Sequence, residues 1–183
     1  AGKAAAPVAG AWPEGDTGLA SQDFGADDGS FGCKYPPGWE VKKGAAKDNS
    51  FGWGSFEKDY ARIKIEADVS GSLMVGAPNP GGEQEGVEPP VARAHDMNKK
   101  KVADSLDKYQ ESEPQVFKSE GLGDGRIAEF TAGTGGLLGS KIHGYRATLL
   151  SNDRRVGVVC QCPDKEWGKY KPIFFAVIKS LRR

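Results

Sequence analysis

The sequence predicts an α+β fold: a single antiparallel β-sheet packed against two α-helices, with an extended N-terminal arm. Three observations carry that expectation. Ala61, Ile63, Ile65, Ala67 and Val69 alternate with Arg62, Lys64, Glu66 and Asp68, the period of a strand with one face on a core and one in water. The segments after Pro89-Pro90 and after Pro163-Asp164 carry apolar residues at helical spacing instead. Residues 1–30 carry neither period; they are polar, Gly- and Asp-rich, with isolated anchors at Trp12, Leu19 and Phe24.

The elements follow in order. Phe31 to Tyr35 is a short strand, broken by Pro36-Pro37-Gly38, and Trp39 to Lys43 is a second. Phe51 to Lys58 precedes the alternating strand at 61–69. Residues 70–90, with Pro78, Pro80, Pro89 and several glycines, are a long loop. A helix of about twenty residues then places Val91, His95, Val102, Leu106 and Tyr109 on one stripe, and Pro114 marks the exit. Strands are expected at 115–120, 126–132, 141–150 and 155–162. The closing helix has the apolar face Trp167, Tyr170, Phe174, Val177, Ile178 and Leu181. The expected order is β-β-β-β-α-β-β-β-β-α, with residues 1–30 as arm or linker and 31–183 as one domain.

Composition excludes several classes. Lys plus Arg number 25 and Asp plus Glu 25, so the net charge is zero, against a nucleic-acid binder that needs an excess of cations. No apolar run approaches the ~18 residues of a membrane-spanning helix. The Ala/Gly/Pro-rich opening, from Ala1 to Pro7, is expected to follow a cleaved secretory signal, which points to an extracellular, periplasmic or envelope setting.

Tests for specific chemistry mostly fail. Gly133-Thr134-Gly135-Gly136-Leu137-Leu138-Gly139-Ser140-Lys141 lacks phosphate-loop spacing, and a strand rather than a helix follows it. Asp23, Asp27 and Asp28 lack the order of a calcium loop. Lys99-Lys100-Lys101 is diluted by Asp96, Asp104 and Asp107 and reads as a solvated helix face. His95 sits on an apolar stripe as a partly buried imidazole. His143 lies in a strand with no nucleophile elbow or triad motif nearby. No cofactor is expected.

Cys160 and Cys162 share one face of a strand, too far apart for an unstrained mutual disulfide. Three readings remain: small buried hydrophobes, a disulfide of Cys33 with Cys160 or Cys162, or a metal or enzyme site at Cys33, His143, Cys160 and Cys162. Trp53, between Gly52 and Gly54, is either core or an anchor for a partner.

Two segments carry a resemblance. Phe31-Gly32-Cys33-Lys34-Tyr35-Pro36-Pro37-Gly38-Trp39-Glu40 resembles the strand, Pro-Gly-Trp, strand opening of PsbP-like domains. Val158-Val159-Cys160-Gln161-Cys162-Pro163, followed by Trp167 and by Phe174 to Leu181, is similar to that superfamily's last strand, loop and closing helix. Lys141 to Thr148 and Cys160 to Pro163 also resemble secreted planctomycete proteins of unassigned role. The resemblance spans about residues 31–183 and implies an antiparallel sheet flanked by helices. It carries over no catalytic residue and implies a non-enzymatic module that contacts protein partners. The expected function is therefore a secreted or envelope interaction module, with Trp12, Leu19, Phe24 and Trp53 as candidate contacts. The alternative is a structural subunit of an extracellular assembly, a homo-oligomer whose arm docks on the neighbouring copy.

Overall fold

Apolar alternation builds most of the molecule. The computed structural model describes residues 18–45, 51–69, 86, 88–119, 121–135, 139–151 and 153–183. The strands are β1 (Gln22–Gly25), β2 (Gly32–Tyr35), β3 (Glu40–Gly44), β4 (Trp53–Lys58), β5 (Ala61–Val69), β6 (Asp107–Glu111), β7 (Gln115–Ser119), β8 (Gly123–Gly133), β9 (Lys141–Leu150) and β10 (Arg154–Pro163). Helix α1 (Pro90–Ala103) lies between β5 and β6, and α2 (Trp167–Lys179) follows a single 3₁₀ turn at Asp164–Glu166.

The strands form two antiparallel sheets rather than the single sheet expected. β1 and β2 make a separate hairpin, while the large sheet has eight strands ordered β3-β4-β5-β10-β9-β8-β6, with β7 also on β8. β6 and β7 share one edge, β7 against Gly123–Ile127 and β6 against Phe130–Gly133. Two strands were hidden in the sequence. β1 lies in the expected arm, and β6 ends the expected twenty-residue helix early. α1 stops at Ala103, where Ser105 Oγ donates to the Val102 carbonyl, and the following backbone pairs with β8. Tyr109 thus packs on Phe130 from a strand, with ring centroids 5.2 Å apart, not from a helix.

The odd residues of β5 and the even residues of β10 face the main core. Ile63, Ile65, Val156, Val158 and Cys160 meet Tyr170, Phe174, Val177 and Ile178 of α2 there, together with Phe31 of the hairpin. Burying each large apolar side chain contributes about 1.5–3 kcal/mol. The opposite face carries α1, packed on β9, β8 and β6, with a smaller cluster of Phe130, Ala132 and Ile142. The result is three layers: α2 and the hairpin, the large sheet, then α1 over one half of the far face.

The hairpin corrects the expected boundary at residue 30. Ala20 and Phe24 are buried, and Phe24 meets Phe56 edge-on at 5.1 Å above Gly54, where a Cβ would press into its ring. Residues 20–30 therefore belong to the domain, because Phe24 finds a pocket on the sheet that only a glycine leaves open. Asp28 pins the hairpin loop: its Oδ1 accepts from Ser30 N at 3.0 Å and its Oδ2 from Gly52 N at 2.6 Å. Arg154 grips the same loop through the Ser30 carbonyl and lies over the Phe51 ring. Asp28→Ala is expected to lower the unfolding free energy by about 1–2 kcal/mol in urea denaturation, since two backbone donors lose their partner. An unchanged midpoint would show that water serves those donors equally well.

Candidate functional site

His143 is the first place to look for chemistry. It projects from β9 toward the start of α2, stacked on Trp167 with centroids 4.1 Å apart and 9° between planes. Its Nε2 lies 2.8 Å from Glu129 Oε1 and its Nδ1 3.1 Å from Asp164 Oδ1. Lys171 reaches the other Glu129 oxygen at 3.2 Å, and Lys141 pairs with Asp164. Burial opposes the Glu129 charge, but the hydrogen bonds from His143 and Lys171 outweigh it and hold the carboxyl below its ordinary range. Both ring nitrogens are engaged by carboxylates, so neither faces outward to take a proton from a substrate. The cluster ties α2 to β8 and β9.

Of the cysteines only Cys162 borders that chemistry, opposite His143 in the β10–β9 register. Cys33 sits in β2 of the small sheet and Cys160 and Cys162 in β10 of the large one; all three are buried free thiols. Of the three readings, the structure has small buried groups: Cys33, Cys160 and Cys162 share one core cluster and no disulfide joins them. Burial pushes Cys33 and Cys162 up to about 12 and Cys160 well above the ordinary thiol value, which removes the thiolate a nucleophile needs. Among the described residues no group of three or more His, Cys, Asp and Glu is arranged to hold a metal ion. The four-residue site at Cys33, His143, Cys160 and Cys162 is therefore not assembled.

The remaining candidates separate clearly. Trp12 lies outside the described residues. Leu19 is partly exposed beside the hairpin, and Phe24 is core rather than a free anchor. Trp53 does reach a surface. Its indole lies flat over Gly44, where a Cβ would come within 2.8 Å of the ring nitrogen. From there it forms one wall of a groove of about 480 Å³.

That groove occupies the half of the large sheet that α1 leaves uncovered. Phe51 and Trp53 stand on one side; Asn98, Lys101, Val102, Ser105 and Leu106 of the α1 region stand on the other. The floor is the outward face of β5, β10 and β9: Arg62, Lys64, Glu66 and Asp68, then Arg155, Gly157, Val159 and Gln161, then Arg146 and Thr148. Ion pairs hold it in order. Lys64 and Lys101 converge on Glu66, Arg155 pairs with Asp68 at 2.8 Å, and Arg62 with Glu57 at 3.3 Å.

Beneath α1 the floor continues into a buried network. Arg146 is 2% exposed and binds Glu111 with both forks, each at 2.9 Å, while its third branch donates to the His95 carbonyl. Tyr109 Oη donates to the same carboxylate, and Lys99 lies 3.2 Å from it. Burial works against the Glu111 charge, yet these partners overcome it and hold the carboxyl at about 2.

Sequence reasoning marked Trp53 but missed the rest of the groove. The alternation at 61–69 identified its charged face and assigned it to bulk water. The usable signal was Gly157, a glycine at the centre of a Val-rich strand, where such a residue weakens the ladder.

Comparison with known proteins bears on the fold. No family model and no curated protein matches the sequence. Among solved structures, cyanobacterial PsbP (CyanoP) from Synechocystis sp. PCC 6803 is similar over 93% of this chain and 96% of its own, at 14% identity and a TM-score of 0.59. A crystallised protein from Bacteroides thetaiotaomicron is similar over 90% of this chain, at 13% identity and TM-score 0.51; the match spans 48% of that longer chain. The Saccharomyces cerevisiae Ran-binding protein Mog1p aligns over 87% of this chain and 93% of its own, at 8% identity and TM-score 0.46. The architecture is thus PsbP-like, and among the described residues no helix is long and apolar enough to cross a membrane.

Proposed function

We propose that this PsbP-like chain is a non-enzymatic protein-interaction module whose contact face is the uncovered half of the large sheet. One observation carries the reading: an open groove where aromatic, cationic and carboxylate side chains meet on a rigid sheet, with neither histidine nor cysteine in its lining. Scaffolds of this kind bind through a few large anchors, and Trp53 and Phe51 supply them. The assembly reading loses its first motive, because β1 is used within its own domain.

Affinity purification from the native source, with the wild-type chain and Gly157→Leu as baits, tests the module. A Cβ at Gly157 would meet only the Glu66 carbonyl at 3.9 Å, so leucine fits the strand while filling the groove. The variant is expected to melt within about 3 °C of wild type, a change under about 1 kcal/mol, and to lose its partner. A partner kept by both baits would move the contact face elsewhere. Turnover of a small molecule by the wild type alone would replace the module with an enzyme.

A further inference from the structure

We infer that the groove takes an acidic, extended peptide segment of a partner protein, laid across the strands between Trp53 and α1. The inference rests on the module reading and adds the chemistry of its ligand. Three features of the groove specify that chemistry.

The first is charge. Of the cations lining the groove, Arg62, Arg146 and Arg155 are held by Glu57, Glu111 and Asp68, which leaves Lys64 and Lys101 with the single carboxylate of Glu66. Lys64 and Lys101 come from different elements, β5 and the end of α1, yet share one carboxylate. Two cations on one carboxylate leave one positive charge over, which a ligand carboxylate can balance from solvent. Both lysines are substantially exposed, so the exchange carries little desolvation cost. Steering by such a cluster acts on encounter and on selectivity between acidic and neutral ligands.

The second is the floor. Gly157 lies in an unbroken ladder, opposite Glu66 on β5 and Thr148 on β9 with no bulge on either side. Its Cβ direction opens into the groove with almost nothing in contact. A mid-strand glycine with ordinary backbone geometry and open space above it allows the close approach of another backbone. Neighbouring Val159 and Gln161 stand higher, so the depression is local and suits a main chain better than a bulky ring.

The third is the wall. Trp53 is held flat by Gly44, and Phe51 is fixed under Arg154. Together they offer a preordered aromatic surface beside the cations. An apolar residue of the ligand fits there while its carboxylates reach Lys64 and Lys101. A nucleic acid also carries negative charge, but this face interleaves carboxylates with its cations and the chain as a whole is neutral.

The test is fluorescence anisotropy with the full chain and three labelled probes. One is a twelve-residue peptide alternating Glu and Gly around a single Leu, the second its Gln counterpart, and the third a twelve-nucleotide single strand. The acidic peptide is expected to bind at least about tenfold tighter than the Gln peptide, and to weaken more than about tenfold between 50 and 500 mM salt. Gly157→Leu and, separately, Lys101→Glu are each expected to weaken it by about tenfold, with circular dichroism showing the fold intact. Equal binding of the two peptides, or binding indifferent to both substitutions, overturns the inference. Tighter binding of the oligonucleotide at the same residues overturns it too. If the acidic peptide fails while a partner is still lost from the Gly157→Leu bait, the ligand chemistry is wrong and the module stands. If both experiments fail, so does the module.

Discussion

Replacing Arg146 with methionine is expected to lower the unfolding free energy by about 3–5 kcal/mol, the cost of leaving a buried charge without its partner. Glu111, only 1% exposed, loses both forks of the guanidinium and keeps Tyr109 and the half-exposed Lys99. The His95 carbonyl loses its donor in the same step. Against a total stability of about 5–15 kcal/mol for a domain, that loss removes more than half of the stability at the low end of the range and a fifth or more at the high end. The double variant Arg146→Met with Glu111→Leu removes both charges and is expected to recover most of the loss, to within about 2 kcal/mol of wild type. Urea titrations of the three proteins decide the matter. A single variant that costs under about 1 kcal/mol would mean that Lys99 and water can serve Glu111 alone.

Acid is expected to destabilise the protein through His95. This imidazole is fully buried beneath α1, with Nδ1 2.9 Å from Thr148 Oγ1 and Nε2 lacking a hydrogen-bond partner among the described residues. Burial, followed by the nearby Arg146, pulls it from 6.5 down to about 3. Arg126 on β8 and Lys99 on α1 push the same way, and only Glu111 on β6 opposes them. Between those two values the unfolded chain binds a proton that the folded chain refuses, so stability is complete above about pH 6.5 and falls as pH drops toward 3. By pH 4 the loss amounts to about 3 kcal/mol, at 1.36 kcal/mol per unit. Glu111 adds to it below 4.5, since its folded value is also depressed. In His95→Leu the difference in unfolding free energy between pH 7 and pH 4 should shrink by about that amount. An unchanged difference would place the acid sensitivity in other groups.

The sequence made the central architecture readable because one face of each long strand is dry and the other wet. β5 and β10 could be placed within a residue or two, and α2 followed from its apolar stripe. β1 and β6 were not legible, for different reasons. β1 has a single buried residue, Phe24, in four, too few to show a period. Its pairing is settled by a glycine thirty positions away, at Gly54, that makes room for the ring. β6 carries Tyr109 where a helical stripe would also put it, so spacing alone favoured extending α1. Only the edge of β8, which no local pattern reports, decides between the two. The groove was half visible: Trp53 and the charged row of β5 were on the page. That α1 would stop short of covering them depends on where β9 and β8 sit, a matter of topology. The cysteines show the reverse case, since burial in one core cluster answers a question that spacing left open.

The hairpin and the C-terminal segment are joined more firmly than any local pattern suggests. Gly32 and Arg182 exchange both backbone hydrogen bonds, at 2.8 and 2.9 Å, and Lys34 N donates to Ser180 Oγ across 146 positions of sequence. Arg182 also pairs with Asp23. The chain is therefore tied into a ring, and the tie cannot form on the ribosome until residues 180–182 have been made. Phe24 and Phe31 stay without their full cover until then, a window in which a nascent apolar hairpin is open to chaperones or to a neighbouring chain.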